Sequence, residues 1–198
     1  DVTIKEKNAE PTNEKEVEED SINTYGKTND ADIGQTVNFQ STITAQKGAE
    51  NYVFHDKMSA GLMFDAVTKV TLNKATVDTA NYQVVMTGLT DGCTFEVRFT
   101  QAFCDTLKAN DKIVISYTAT LNENAVVGVE GNPNESKIEY GQSGKTTTTP
   151  PSTTTTYTWD LDVLKYGNGD KEKVLKDAQF VLLNKTKDQV AVVVNGTL

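Results

Sequence analysis

The chain has 198 residues, enough for one sizeable domain and part of a second. Its formal net charge of -9 and isoelectric point near 4.7 argue against nucleic acid or an anionic membrane as a partner. No apolar run is long enough to span a bilayer, and two cysteines exclude a disulfide-rich scaffold. The sequence leaves open whether Cys93 and Cys104 form one bridge or remain buried thiols.

Short segments that alternate apolar and polar residues recur along the first two thirds of the chain. This period of two predicts half-buried strands. The predicted strands cover 13–17, 37–43, 52–56, 67–72, 82–86, 95–99, 113–121 and 134–140, with a short helical crossover at 101–109. Many short strands with turn residues between them indicate an all-β sandwich.

Changes in composition divide the chain into four parts. Residues 1–10 are interpreted as the tail of a preceding domain or a linker, and residues 11–141 as the sandwich. Gly, Ser, Pro and a run of threonines predict an extended linker over 142–156. Strand patterns resume in 157–198, but about 40 residues are too few to close a sandwich. We therefore expect a partial second β-sandwich domain and a chain that is part of a longer protein.

Three polar residues lie on strand faces that otherwise point into the core: Lys15, Asp56 and Asn134. Burying an ammonium group is costly unless the group is paired or chemically consumed. A lysine, an acid and a carboxamide are the reagents for an intramolecular amide bond, in which the amine attacks the carboxamide carbon and ammonia leaves. Burial lowers the pKa of a lysine and raises that of an aspartate, so Asp56 would polarise the carbonyl and shuttle protons.

Glu96 is an alternative acid for this chemistry, although its place in the alternation of strand 95–99 predicts that it faces solvent. His55, the only histidine, points away from the Asp56 face and is expected at the surface. The sequence has no second histidine and no serine in a nucleophile-elbow motif, so it does not support a hydrolase triad. We therefore predict that the chain is not an enzyme, apart from crosslinking itself once. No cofactor or metal is predicted, since residues 29–32 lack the spacing of a calcium loop.

The sequence resembles the middle domain of Gram-positive sortase-assembled backbone pilins over roughly residues 11–141. The matching motifs are Pro11-Thr-Asn-Glu-Lys15-Glu-Val17, Ile33-Gly34-Gln-Thr-Val37, Tyr52-Val-Phe-His-Asp56-Lys-Met-Ser-Ala-Gly61-Leu62 and Asn134-Glu-Ser-Lys-Ile-Glu-Tyr140. The resemblance implies an immunoglobulin-like (collagen-adhesin type) β-sandwich. It also implies a spontaneous isopeptide bond between Lys15 and Asn134, assisted by Asp56, on the first, last and a middle strand.

Two further lysines take their meaning from the same resemblance. The segment from Trp159 to Tyr166 looks like the start of a collagen-adhesin B-type domain, which makes Lys165 the amine of a second crosslink whose partners lie beyond Leu198. Family members carry a Tyr-Pro-Lys-Asn motif whose lysine sortase joins to the next subunit. Lys7 followed by Asn8 occupies the matching place, but tyrosine and proline are absent.

The function implied is that of a structural subunit of a cell-surface pilus, anchored to the cell wall through an LPXTG signal and sortase. The implied partners are neighbouring pilin subunits, sortase and a host surface or matrix ligand. The alternative is a non-polymerising, cell-wall-anchored adhesin whose sandwich binds a host ligand, with loops 44–51 and 122–133 as its candidate surface. Both functions place the protein outside the cell.

Overall fold

The computed structural model describes residues 10–89, 91–160 and 165–174, together with residues 181, 183, 186 and 190. Contacts between residues divide the chain into two compact units, Asp1–Thr158 and Trp159–Leu198. Lys7 and its neighbours lie outside the described residues, as do residues 161–164 of the expected second strand set. Within the described part, no helix combines the length and apolar character needed to cross a membrane.

The first unit is built almost entirely of strands. In chain order they are β1 (Thr12–Glu19), β2 (Thr24–Gly26), β3 (Thr28–Asp30), β4 (Thr36–Thr44), β5 (Val53–Met58), β6 (Leu62–Leu72), β7 (Ala75–Thr76), β8 (Tyr82–Val85), β9 (Phe95–Phe99), β10 (Lys112–Leu121), β11 (Asn132–Tyr140), β12 (Thr147–Thr148) and β13 (Ser152–Tyr157). A 3₁₀ turn (Thr79–Asn81) precedes β8, and helix α1 (Gln101–Cys104) follows β9.

Two sheets face each other across the core. Among the described residues, the first sheet has the order β2-β1-β4-β10-β6-β7, and the second has β3-β13-β11-β5-β9-β8, with β12 at the end of β11. The ladders are antiparallel except where β13 runs parallel to β3. Strict alternation of buried and partly exposed residues along β4 and β10 shows which face of the first sheet lines the core. The predicted all-β sandwich is confirmed.

The predicted linker at 142–156 is wrong. Most of its threonines lie in β12 and β13, and β13 pairs with β11 so that Asn132 is opposite Thr156 and Ser136 is opposite Ser152. Thr154 and Thr156 are buried, whereas Thr155 between them is only partly buried. Threonine is β-branched and favours strands, so the run is a half-buried strand despite its low complexity. The first unit therefore ends at Thr158, and Asn134 does not lie on the last strand.

The close approach at the β5–β6 turn depends on a glycine. A Cβ at Gly61 would lie 2.6 Å from the Cα of Ala125 and would overlap the Asn132 carboxamide. Asn132 is fully buried and holds the preceding loop, accepting from the Val126 amide at 2.8 Å and donating to the Val126 carbonyl at 3.0 Å. These contacts set where β11 begins, two residues before Asn134.

In the second unit, the described residues form two antiparallel bridges, Tyr166 with Val174 and Leu183 with Val190. Lys165 is exposed. Its partners for a crosslink, and the B-type domain itself, stay predictions.

Candidate functional site

The three residues singled out on inward strand faces meet in the core. Lys15 comes from β1 in the first sheet, whereas Asp56 and Asn134 come from β5 and β11 in the second. Each is 0 % exposed. Because β5 and β11 are neighbours, Asn134 lies diagonally from Asp56, whose direct partner across the ladder is Ser136. The site therefore spans the interface between the two sheets.

Lys15 is tied directly to Asp56. Its Nζ lies 2.6 Å from Asp56 Oδ2 and also donates to the hydroxyl of Tyr117. The same Tyr117 hydroxyl donates to Asp56 Oδ2 at 2.5 Å. Asp56 Oδ2 thus accepts hydrogen bonds from both the Lys15 amine and the Tyr117 phenol. Among the described residues, Asp56 Oδ1 has no hydrogen-bond partner.

The Asn134 carboxamide is close to Asp56 and Tyr117 but forms no hydrogen bond of good geometry with them. Asn134 is near enough to Asp56 and Tyr117 to act on the pKa of both. Yet neither its oxygen nor its nitrogen makes a hydrogen bond of good geometry with any described residue. A buried polar group left without a partner costs about 1–3 kcal/mol. Such an amide is expected only where something else compensates for that cost.

Aromatic rings surround the amine. Lys15 Nζ lies 4.7 Å from the ring centroid of Tyr117 and 5.1 Å from that of Phe39, and the two rings stack with centroids 5.5 Å apart. Phe54 and Phe95 pack edge-on against Tyr117. The rings exclude water from the site, which strengthens every electrostatic interaction inside it.

Burial shifts the pKa of all three titratable groups towards the neutral form. It lowers the pKa of Lys15, although the Asp56 charge acts in the opposite direction. It raises the pKa of Asp56, against the opposing effects of Lys15 and Tyr117. Burial and the nearby Asp56 carboxylate together hold the pKa of Tyr117 well above its usual range. The site therefore favours an uncharged amine beside a protonated acid.

A second set of buried polar groups docks β1 against the second sheet. Asn13 donates to the carbonyl of Ser136 at 3.0 Å and contacts its hydroxyl at 2.9 Å, while Ser41 donates to the Asn13 oxygen at 2.8 Å. The Lys15 amide donates to the Ser152 hydroxyl at 2.9 Å. These bonds hold the strand that carries the amine against the strand that carries the carboxamide.

Sequence reasoning missed Tyr117 as a functional residue. The ring of Tyr117 fits the alternation of strand 113–121, in which a tyrosine is an ordinary core aromatic. The feature that could have identified Tyr117 is its hydroxyl, because a buried Tyr O–H requires a partner and the other inward residues of that strand are apolar.

Glu96 lies on the opposite face of its sheet from Asp56 and so does not contact Lys15. It pairs across the ladder with His55, whereas Asp56 pairs with Phe95. The expectation that Glu96 and His55 face solvent is wrong, since both are buried. They lie in a polar cluster on the outer face of the second sheet, where Asp91, Glu139 and Arg98 contact them. Cys93 and Cys104 are both free thiols.

No protein-family model matches the sequence, and no curated protein matches it. Solved structures do match. The 35 kDa C-terminal fragment of the major pilin GBS80 of Streptococcus agalactiae aligns with a TM-score of 0.65 and 18 % identity, over 84 % of this chain and 62 % of that one. For domains D2 and D3 of the major pilin SpaD from Corynebacterium diphtheriae the TM-score is 0.59 and the identity 20 %, over 83 % and 58 %.

The pilus backbone protein RrgB from Streptococcus pneumoniae aligns with a TM-score of 0.53 and 22 % identity, over 67 % of this chain and 32 % of that one. The chain thus spans less than two thirds of each of these structures. At these identities the comparisons establish the fold alone: the chain has the β-sandwich fold found in Gram-positive major pilins.

Proposed function

We propose that the chain is a structural segment of a Gram-positive cell-surface pilus, and that an isopeptide bond formed spontaneously between Lys15 and Asn134 stabilises its sandwich. The observation that carries the proposal is the fully buried Lys15–Asp56 pair beside an unsatisfied carboxamide. A buried ion pair alone adds little stability. A buried amine, acid and amide in one water-free site are instead the components of a condensation.

The reaction starts with a proton transfer from Lys15 Nζ to Asp56 Oδ2 along their 2.6 Å hydrogen bond. This step neutralises both groups without changing the net charge of the core. The free amine then attacks Cγ of Asn134, whose carbonyl is polarised by the protonated Asp56. Of the two protons that the amine gives up, one leaves with ammonia and the other remains on Asp56. The reaction runs once per molecule.

The position of the bond suits a protein under tension. It would join β1 of one sheet to β11 of the other, so a force that separates these two strands would load a covalent bond. We infer that the chain functions outside the cell, with neighbouring pilin subunits and sortase as partners. An amide crosslink needs no oxidant and resists reductants, in contrast to a disulfide.

Intact mass tests the crosslink. The purified protein should weigh one ammonia less than its sequence, and Lys15→Ala and Asn134→Ala should each restore the full mass. An unmodified wild-type mass would rule the bond out. Polymerisation is tested separately on the parent cell: an antibody against this chain should detect a ladder of high-mass species in cell-wall extracts, which disappears when sortase is deleted.

One observation favours the adhesin as a second candidate. Residues 46–50, which lie in the candidate ligand loop 44–51, border an open cleft of about 490 Å³ on the first unit together with residues 140–142. An adhesin would give a single cell-wall species and no ladder, and its binding to host matrix would be lost on substitution of Lys47 and Glu50.

A further inference from the structure

A cluster of metal-binding side chains lies on the outer face of the second sheet, on the opposite side from the crosslink site. We call it the outer-face cluster and define it as His55, Asp91, Cys93 and Glu96. His55 comes from β5 and Glu96 from β9, whereas Asp91 and Cys93 come from the loop before β9. His55 and Glu96 are buried, and Cys93 is partly buried. The proposed pilus function uses none of these side chains.

The four donor atoms converge on one point. His55 Nδ1 lies 3.0 Å from Asp91 Oδ2 and 3.4 Å from Glu96 Oε1. Cys93 Sγ lies 3.9 Å from the same histidine nitrogen and 3.8 Å from the same glutamate oxygen. All four atoms are within 4.8 Å of one another. Bonds of about 2.0–2.3 Å to a tetrahedral zinc ion place the donors roughly 3.3–3.8 Å apart. The four separations given above, 3.0–3.9 Å, bracket this spacing, so small side-chain shifts would bring the donors to it.

Three of the four donor residues, His55, Glu96 and Asp91, also make a second contact. Glu139 Oε2 lies 3.0 Å from His55 Nε2 and so leaves Nδ1 as the nitrogen that faces the cluster. Arg98 donates to Glu96 Oε2 at 2.6 Å, and the Cys93 backbone amide donates to Asp91 Oδ1 at 3.1 Å. Lys137 lies 3.2 Å from Asp91 Oδ2, the oxygen that also faces His55. A histidine that bonds a carboxylate through its other nitrogen is the usual arrangement around protein-bound zinc.

We propose that the outer-face cluster binds one Zn²⁺ ion through His55 Nδ1, Cys93 Sγ, Asp91 and Glu96. A thiol and an imidazole among the donors select zinc over the hard cations Ca²⁺ and Mg²⁺, which take oxygen ligands. Because the thiolate is the form that binds metal, binding releases the thiol proton to solvent as the Zn–S bond forms.

A polar network without metal is the competing explanation, in which His55 bridges the carboxylates. Such a network makes no use of Cys93, since a neutral thiol contributes no charge. The two explanations therefore differ in what removal of the cysteine does. A network without metal predicts no stoichiometric zinc in the wild type or the variant, whereas the zinc site predicts one zinc in the wild type and its loss in the variant.

The test uses the whole chain, stripped with a chelator and then given Zn²⁺, with the bound metal measured after removal of the excess. We expect one zinc per chain in the wild type and no stoichiometric zinc in Cys93→Ser. The matched control is Cys104→Ser, which removes the thiol buried in the core and should still bind one zinc. Absence of zinc from the wild type, or equal zinc in both variants, would overturn the proposal.

A second measurement does not depend on how well each variant folds. Co²⁺ added to the wild type should produce a thiolate-to-metal charge-transfer band, and excess Ca²⁺ should not displace the ion. Glu139→Gln keeps all four donors but weakens the orientation of His55, so Zn²⁺ should bind about 10–100-fold more weakly. A wild-type cobalt spectrum without the thiolate band would contradict coordination by Cys93.

Discussion

The Tyr117 hydroxyl donates to Asp56 Oδ2 at 2.5 Å, and this is the oxygen that also receives Lys15. The phenol therefore hydrogen-bonds to both the amine and the acid, which also contact each other directly. Its own pKa is held far above the usual range, so it remains a donor and does not compete for the proton. Tyr117 is thus expected to hold the Lys15 amine and the Asp56 carboxyl group in position for proton transfer.

Tyr117→Phe should slow crosslinking without preventing it. The ring remains stacked on Phe39, but one hydrogen bond to Asp56 is lost, which corresponds to a rate about ten-fold lower if that bond contributes about 1.4 kcal/mol in the transition state. The measurement is the fraction of uncrosslinked chain, from intact mass, at intervals after synthesis. Tyr52→Phe is the control, because the Tyr52 hydroxyl accepts from the Gln46 backbone amide and, within the described part of the chain, forms no hydrogen bond with Lys15, Asp56 or Asn134. This variant should crosslink at the wild-type rate.

Asp56→Asn should abolish the loss of ammonia. The carboxamide has nearly the same shape as the acid but cannot accept the amine proton, and general acid–base groups contribute about 10²–10⁴-fold to such steps. The paired variant is Glu96→Gln, which changes the alternative acid on the other face of the sheet. It should crosslink fully. If Glu96→Gln blocked the reaction while Asp56→Asn did not, the assignment of the acid would be reversed.

Asn134→Ala should lower the free energy of unfolding by about 4–5 kcal/mol. The bond would close a loop of roughly 120 residues, and a crosslink of that span restricts the unfolded chain by about this amount on the disulfide scale. Denaturant unfolding of the two proteins measures the difference. The exposed Asn124 supplies a matched control, since Asn124→Ala should leave the free energy within about 0.5 kcal/mol of wild type.

Lys15→Met should reverse the usual effect of acid on stability. The variant cannot crosslink, and it leaves Asp56 buried without the charge that opposes the rise of its pKa. When the folded-state pKa of Asp56 lies above the unfolded value of about 3.9, the folded chain binds the proton more tightly than the unfolded chain. The resulting stabilisation is complete below about pH 3.9 and is lost as the pH rises through the folded-state pKa.

Denaturant unfolding should therefore show Lys15→Met to be more stable near pH 4 than near pH 7, with a slope of up to about 1.4 kcal/mol per pH unit from this one group. Adding Asp56→Asn removes the titrating acid and should abolish this part of the slope. An unchanged slope in the double variant would mean that Asp56 is not its source.

The sequence predicted the sandwich and the inward faces well because both follow from a period of two, which is a local property. Lys15, Asp56 and Asn134 could be singled out because a polar residue breaks an apolar face. Tyr117 broke no pattern, since its ring suits the core and only its hydroxyl enters the site. Partner groups such as this depend on which strands meet across the sandwich, and that is not a local property.

The same limit explains the errors on the outer face and at the threonine run. His55 and Glu96 have the parity of solvent-facing residues, but the loop at 91–93 folds over them, and no pattern within β5 or β9 encodes that cover. The threonines of β13 look like a spacer because their composition is uniform. Only the pairing of β13 with β11 and β3 shows that they complete the second sheet.

Strand β13 follows Asn134 in the chain, so the proposed bond would enclose β1 to the start of β11 and leave β13 outside the closed loop. Force applied through residue 158 would reach β13 first, and noncovalent contacts hold that strand: its ladders with β11 and β3 and the hydrogen bond from the Lys15 backbone amide to Ser152. It would detach and extend the chain by a few nanometres before the covalent bond carried the load. The domain would then extend reversibly at β13 while the crosslinked part stays folded. Single-molecule pulling would show one short, reversible step.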